Sequence, residues 1–576
     1  MKKPDQFRFI LLSTIVSAEI CGLLLSQTAV AQSIPDAGAL LRQNQRDTVV
    51  VPPPVIVRPI GSSVAPMSPQ KIADDSLKFV VESFNFSGAT LVPENELQEA
   101  IKSWLHREIH FSDLELASDA LTETYRAHGW FVRVVIPEQD IDNGIVTFNF
   151  LEAKLGNVRV VTNGEHPRLQ QQTLVNIVTA RQKTGDYLNV GNLDRASNLL
   201  GEVPGVVTSL SLAPGKSIAV TDIVVSAEDK PLFSGVLQVD NQGARSTGIN
   251  RLNASFNIDN PRGIGDQVAA NTISTLGSEY GRISYTVPLF SDGMHIGTEF
   301  SDMKYHLIGS YAPLKANGTA QILGVFGTYP VVRLNDRSLS IVWTLEHKAY
   351  ENYASDQQIS DKTARELTVG LSSSMSTADG SFILLSGNAT LGQLDLSKNL
   401  ANEIIDLHGP HTEGTYGKVN FNVARLQRLP AKFSLWLSAT GQIALKNLDS
   451  SEKFSLGGMD GVSAYPNLEA SGDNGILFTA ELRKGLTSHL QGMLFYNYGA
   501  VIVNHNPNYP GATALDHYSL SGIGLGLNWS DAGKYSIKAS VSRKLGTNPA
   551  ANPFTGADSD GSIGHTRYWL SASVYF

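Results

Sequence analysis

Tyr568-Trp569-Leu570-Ser571-Ala572-Ser573-Val574-Tyr575-Phe576 ends the sequence on a two-residue period. Tyr568, Leu570, Ala572, Val574 and Phe576 share one face and Ser571 and Ser573 take the other, as a half-buried β-strand requires. The same alternation runs through 338–346, where Leu339, Ile341, Trp343 and Leu345 oppose Ser340, Thr344 and Glu346. It returns in 433–440, where Phe433, Leu435, Leu437 and Ala439 oppose Ser434, Ser438 and Thr440. Val342, Trp436 and Trp569 break the pattern by standing on the polar faces. From Lys230 to Phe576 such strands follow one another without helical periodicity. They could build a soluble sandwich or a barrel in lipid. Three features favour lipid: the last residue is aromatic, the connections 504–516 and 546–565 are long and polar while others are tight, and no internal boundary appears. A soluble segment of about 350 residues would ordinarily split into domains. At roughly 20 residues per strand and connection, it holds about 16 strands.

Composition narrows the rest. The chain has 576 residues, 54 acidic against 45 basic side chains, 17% charged residues and one cysteine. A net charge of −9 argues against a nucleic-acid partner. One cysteine excludes a disulfide scaffold and cysteine-based metal sites. No apolar run beyond the N-terminus approaches the roughly 20 residues of a spanning helix. Barrel strands, by contrast, average to neutral hydropathy.

Lys2, Lys3 and Arg8 precede an apolar run from Phe9 to Ala18, with a small-residue exit at Ala29-Val30-Ala31. Residues 1–31 therefore read as a secretory signal peptide cleaved before Gln32, taking Cys21 with it. Within 32–48, Asp36 is placed to cap a short helix with Leu40 and Leu41 on one face. Residues 49–78, rich in proline from Pro52 to Pro69, read as an extended linker.

Two successive units of order β-α-α-β-β follow, 79–154 and 155–229. In the first, strand 79–86 precedes a helix over 93–105 and a second opened by a Ser112/Glu115 capping box, then strands 130–136 and 145–151 around Asn143-Gly144. In the second, strand 157–161 precedes helices 169–178 and 192–202 and strands 206–212 and 218–225, around Pro214-Gly215. Such a repeat indicates a modular arm. Residues 79–229 carry 11 basic and 20 acidic side chains, whereas residues 230–576 sum to −2, so the acidity belongs to the arm.

No catalytic constellation emerges. Gly522, Gly524 and Gly526 alternate with Ile523, Leu525 and Leu527 and read as the lumen face of a strand rather than a nucleotide loop. His106 and His110 have metal-pair spacing but fall in a connection with no third ligand, and Asp74-Asp75 reads as solvated surface. No enzyme, cofactor or metal site is expected. The richest local stretch is Phe454-Ser455-Leu456-Gly457-Gly458-Met459-Asp460-Gly461-Val462-Ser463-Ala464-Tyr465-Pro466, a glycine-laden loop suited to folding inward near 454–476.

These pieces together resemble the outer-membrane transporters of two-partner secretion, the haemolysin secretion/activation branch of the POTRA-plus-barrel superfamily. Pro35-Asp36-Ala37-Gly38-Ala39-Leu40-Leu41-Arg42-Gln43 resembles its plug helix. Tyr125-Arg126-Ala127-His128-Gly129-Trp130 with Asn143-Gly144 resembles the end of a first POTRA domain, and Asn198-Leu199-Leu200-Gly201-Glu202-Val203-Pro204-Gly205-Val206 with Pro214-Gly215 a second. The glycine-rich loop resembles the one that enters the pore, whose tip in the family reads Val-Arg-Gly/Ala-Tyr. Here the tip is Val462, Ser463, Ala464, Tyr465. The family's arginine meets the aspartate of a wall motif Phe-x-Asp-x-Gly, and the matching wall here is Phe495, Asn497, Gly499. Both members of the ion pair are neutral, so Ser463 and Asn497 are expected to meet by a hydrogen bond or a bridging water.

The resemblance implies a two-POTRA arm in the periplasm and a transmembrane antiparallel barrel over 230–576 in the outer membrane. It implies a pore translocating a partner exoprotein that carries an N-terminal two-partner secretion domain. The acidic arm is the expected first contact, facing a basic strip on the partner. Phe576, Val574 and Tyr568 are the expected assembly signal for the barrel assembly machinery, with periplasmic chaperones as biogenesis partners. A barrel insertase on the same plan, and less so a diffusion porin, are the alternatives.

Overall fold

The computed structural model describes residues 35–48, 61–62, 78–162 and 168–576. The expected signal peptide and nearly all of the proline-rich linker lie outside the described residues. The first helix, Ala37–Thr48, is capped by Asp36, whose Oδ1 accepts from the Ala39 amide at 2.9 Å.

The first α/β unit places Ile145–Glu152 at the centre of a three-stranded sheet, parallel to Ser83–Ser87 and antiparallel to Val132–Val135. Helices Glu94–Ile101 and Phe111–Ala127 cover one face, burying Leu97, Ile101, Leu114, Leu121 and Tyr125 against Phe84, Val146 and Phe148. The expected first strand is broken into Lys78–Val80 and Ser83–Ser87, since Lys78–Val80 pairs instead with an unforeseen strand, Glu108–His110. That strand runs straight into the second helix and moves its start. The capping box is His110 with Asp113, the Asp113 carboxylate accepting the His110 amide at 2.9 Å, and not Ser112 with Glu115. His110 is thereby a cap, while His106 faces exposed Glu82 at 3.0 Å.

The second unit repeats the plan. Lys154–Thr162 runs parallel to a central Val220–Asp229, and Val206–Pro214 lies antiparallel on its other side. Helices Gln171–Thr179 and Val190–Gly201 cover the sheet, the latter capped by Asn189. Its outer strand also holds Gly61–Ser62 of the linker, paired in parallel with Ser211 and Leu212. This unit is bolted to the barrel rim. Buried Arg195 donates to the Asp292 carboxylate at 2.9 Å and to the carbonyls of Asp292 and Pro330 at 2.7 and 2.6 Å, and Arg181 donates twice to the same carboxylate.

Phe233–Asp240 through Thr566–Tyr575 form sixteen antiparallel strands closed into a barrel. Among the described residues no helix is long and apolar enough to cross a membrane, which says nothing of the strands. Their outward side chains are apolar and bare, with Leu345, Leu371, Leu570 and Val574 each about half exposed. Trp569, Ser571 and Ser573 on the opposite face are buried. Gly522 and Gly524 face inward, as a Cβ on Gly522 would sit 2.8 Å from the Ala464 Cβ.

Glu152 anchors the first unit's core. Its carboxylate accepts the Thr90 amide at 2.6 Å, the Thr90 hydroxyl at 2.5 Å, the Leu91 amide at 2.8 Å and the buried Tyr125 hydroxyl at 2.8 Å. Burial alone would raise its pKa, but these donors outweigh it and hold the carboxyl below its ordinary 4.5. A lowered folded-state pKa contributes stability above the unfolded value that is lost as pH falls through the folded one. Hydrogen-exchange protection over 79–152 in the full-length protein should therefore be constant above about pH 5 and decline below about pH 4. Glu152→Ala should remove roughly 2–4 kcal/mol from this unit at neutral pH and abolish that acid dependence.

Candidate functional site

The lumen is occupied by two segments of the chain itself. The helix Ala37–Thr48 buries Ala37, Leu40 and Leu41 against Met303, Tyr305, Ile322 and Tyr350 of the wall. The Ala37 amide donates to Asn352 Oδ1 at 2.8 Å, and Arg42 donates to Gln442 Oε1 at 2.9 Å. Asp36 accepts from Lys362 Nζ at 3.1 Å and from the Ser450 hydroxyl at 2.5 Å. Lys362 also donates to both oxygens of Asp449 at 2.8 Å, so one wall lysine serves the helix and the base of the inward loop together. Gly38 permits that proximity, since a Cβ there would lie 2.6 Å from the Ser451 Cβ.

The second occupant is the connection 445–473 between strands Phe433–Ala444 and Asn474–Gly485. A short ladder pairs Phe454 and Ser455 with Gly472 and Ser471, turning the loop into an inward hairpin. Its tip is a compact turn in which the Val462 amide donates to the Leu456 carbonyl at 2.7 Å and the Tyr465 amide to the Val462 carbonyl at 2.9 Å. Val462, Ala464 and Tyr465 are fully buried, and Ser463 nearly so.

The structure brings the tip and the wall motif together. Ser463 Oγ donates to Asn497 Oδ1 at 3.0 Å, and Asn497 Nδ2 donates to Thr479 Oγ1 at 3.1 Å. Gly499 leaves room for Leu456, whose Cδ2 would be 2.6 Å from a Cβ, and Phe495 fills the space over Gly524. Tyr465 packs its ring under Lys544 Nζ at 5.0 Å. Phe576 lies past the far end of its strand from Trp569, exchanging backbone hydrogen bonds with Gly235 at 2.9 and 3.1 Å, while Tyr568 and Val574 point outward.

Sequence reasoning missed the buried charges. Lys348 donates to Glu366 at 2.8 Å and Glu452 at 3.3 Å, Lys418 pairs with Glu452, and Tyr416 donates to Glu366 at 2.6 Å. Glu452 belongs to the loop and the others to the wall. The signal was present as ionisable residues on strands whose opposite face is apolar, which marks a polar lumen.

Comparison with known proteins bears on what this plugged barrel is. Residues 220–529, more than half of the chain, match the family model described as haemolysin secretion/activation protein ShlB/FhaC/HecB, and residues 79–153 match the ShlB-type POTRA domain. The chain belongs to the ShlB/FhaC/HecB family. The heme/hemopexin transporter protein HuxB of Haemophilus influenzae is 28% identical over 559 residues, spanning 93% of this chain and 96% of HuxB. The outer membrane transporter CdiB of Escherichia coli is 22% identical over 81% of this chain and 80% of CdiB. Among solved structures, CdiB from Escherichia coli superposes with a TM-score of 0.69 at 18% identity, covering 94% of this chain and 99% of CdiB. BamA from Haemophilus ducreyi lacking POTRA domains 1–3 shares the fold at a TM-score of 0.52 and 14% identity, covering 87% of this chain and all of that one. This ShlB-family protein is thus an outer-membrane barrel with its POTRA units in the periplasm.

The neutral Ser463–Asn497 contact makes a specific prediction for this ShlB-family member. Ser463→Arg alone places an unpaired cation in a buried site, at a cost of several kcal/mol. It should lower the temperature at which the folded barrel loses its heat-modifiable electrophoretic mobility, and reduce export. Adding Asn497→Asp should recover both; a double variant no better than the single one would show that the two positions do not act as a pair.

Proposed function

We propose that this chain is the outer-membrane pore through which a partner exoprotein passes from periplasm to cell surface in two-partner secretion. The observation that carries the reading is a closed barrel whose lumen is filled by its own helix and loop, each seated non-covalently by an apolar stripe and by hydrogen bonds or ion pairs to the wall. A diffusion porin keeps its channel open, and a plug of this kind suits a conduit that opens on demand. Its relatives bear names as different as heme/hemopexin transporter HuxB and hemolysin transporter ShlB, so the shared element is a secreted protein rather than one cargo chemistry.

Recognition falls to the periplasmic arm. The outer strand Val206–Pro214 accepts an extended segment in Gly61–Ser62, and an unfolded exoprotein offers the same main-chain hydrogen bonds. The arm's charge of −9 favours a basic strip on the partner's secretion domain. With the plug displaced, folding of the exoprotein outside supplies the direction of transport. During biogenesis, Tyr568, Val574 and Phe576 on the closing strand serve as the signal for the barrel assembly machinery, to which periplasmic chaperones deliver the chain.

The barrel resemblance to BamA supports one alternative, an assembly factor. Deleting residues 79–229 separates the readings. A translocator should retain channel conductance and lose export of its partner, an assembly factor should show general outer-membrane protein defects, and a porin should lose nothing. Asp36→Ala should destabilise the resting plug while Lys362 keeps Asp449, raising the frequency of channel openings in planar bilayers several-fold without changing barrel stability.

A further inference from the structure

The loop tip is held less by its own side chain than by its backbone. The Ser463 carbonyl accepts from two side chains of the wall: the Ser542 hydroxyl at 2.7 Å and the Trp569 indole Nε1 at 2.8 Å. Ser542 lies on strand Tyr535–Lys544 and Trp569 on Thr566–Tyr575, so both belong to the last hairpin of the barrel. Trp569 is only 6% exposed although its neighbours in sequence, Tyr568 and Leu570, face outward. Trp569 shares the lumen side of its strand with Arg567, Ser571 and Ser573, and its one polar atom is committed to the loop.

The same hairpin holds the loop a second time, at Glu469, through an intermediary. Lys544 pairs with Asp558 at 2.5 Å and Arg567 with Asp560 at 3.0 Å, drawing the outer connection 545–565 inward. That connection grips Glu469, which lies beside Gly457 between the loop's short ladder and its tip. Asn548 donates to Glu469 Oε1 at 2.8 Å, and the Ser559 amide and hydroxyl donate to Oε2 at 2.8 and 2.6 Å. The lumen face of strands fifteen and sixteen therefore carries two pairs, Ser542 with Trp569 and Lys544 with Arg567, which hold the same loop at Ser463 directly and at Glu469 through the outer connection.

We propose that Trp569 is a positioning residue for the inward loop, and that in this chain the terminal hairpin acts as the lock plate on which the loop is seated. The proposal rests on the secretion-pore reading only for its consequence, since the seating itself is a property of the resting barrel. A carbonyl lock is indifferent to the residue at position 463. It explains how the tip stays buried where serine and asparagine stand in place of a charged pair. It also ties the loop to the strand that closes the barrel. The ladder between Phe233–Asp240 and Thr566–Tyr575 runs only from Val236–Tyr575 to Asp240–Ser571, the shortest in the barrel, and Trp569 stands just beyond its outer end. Asn241 continues that ladder with its side chain, donating to the Tyr568 carbonyl and accepting the Leu570 amide.

The test reads the tip directly in full-length protein on intact cells. Val462→Cys introduces a thiol at a fully buried tip position in a chain whose other cysteine is Cys21. Labelling by a membrane-impermeant maleimide should be slow in that background. It should become about 5–10-fold faster on adding Trp569→Phe, which keeps the ring and removes the donor, and comparably faster on adding Ser542→Ala; tenfold corresponds to about 1.4 kcal/mol. Trp436→Phe, a change at another lumen-side tryptophan, should leave the rate unchanged. Heat-modifiable mobility confirms in each variant that the barrel has folded. Should Trp569→Phe prevent folding, the Ser542→Ala arm carries the test. Unchanged labelling in every folded hairpin variant would overturn the proposal, as would acceleration shared by Trp436→Phe. Export is scored separately, so a failure of the secretion reading would leave the labelling result standing.

Discussion

The ladder that joins the first barrel strand to the last is the constraint on which everything else depends. In hydrocarbon no water satisfies a free strand edge, so the sheet must close on itself. Closure at sixteen strands leaves a lumen too wide for wall side chains to fill. The lumen must then be either water or protein, and here it is protein. Ala37–Thr48 and the connection 445–473 are the filling, and they follow from the strand number as much as from any function. That the closing ladder is also the shortest makes the seam the weakest line in the wall, and the loop's attachment to Trp569 sits beside it.

The filling is fastened in two styles. Lysines 348, 362 and 418 are buried, and each meets at least one carboxylate from the helix, loop or wall. Desolvating an ion costs several kcal/mol, which such pairs repay only with good geometry and further hydrogen bonds. Glu366 has these, with Lys348 on one oxygen and the Tyr416 hydroxyl on the other. At the tip the fastening is neutral. Removing both members of a buried pair is tolerated where removing one is not, which is why Ser463 and Asn497 make sense only together. The carbonyl of Ser463 then carries two further hydrogen bonds that no side-chain substitution at 463 can delete.

Much of this was legible in the sequence because it is periodic. The alternation in 568–576 and 338–346 gave the barrel and its outward face, and the repeated β-α-α-β-β order gave the arm. Asp36 was readable as a cap because capping is local. What stayed hidden was non-local. The Ser112/Glu115 reading of the second helix start failed because His110/Asp113 satisfies the same spacing two residues earlier, and the Lys78–Val80 pairing decides between them. Trp569 stood out as an apolar residue on a polar face, but its partner lies 106 positions away, on a loop. Nothing in the sequence around Lys362 marks it, because Asp36 and Asp449, its partners, lie 326 and 87 positions away.

The contacts also bound how the pore can open. A hydrogen bond exchanged for water is worth about 0.5–1.5 kcal/mol, or about 1.5–3 where one partner is charged, as Asp36 is, and Lys362 keeps Asp449 when Asp36 leaves, so these polar fastenings are partly replaced when the plug leaves. Its apolar stripe has no such replacement. Leu40 and Leu41 are 3% and 1% exposed, and fully exposing such side chains costs about 1.5–3 kcal/mol each. Two leucines thus set a threshold of roughly 3–6 kcal/mol, close to the 5.5 kcal/mol or so that shifts an equilibrium from 1:99 to 99:1. A partner that docks on the open state better than on the closed one by that margin would suffice. Such a margin lies within reach of an extended segment adding main-chain hydrogen bonds to one POTRA edge and basic charge to an acidic arm. The same arithmetic keeps openings of the partner-free pore infrequent.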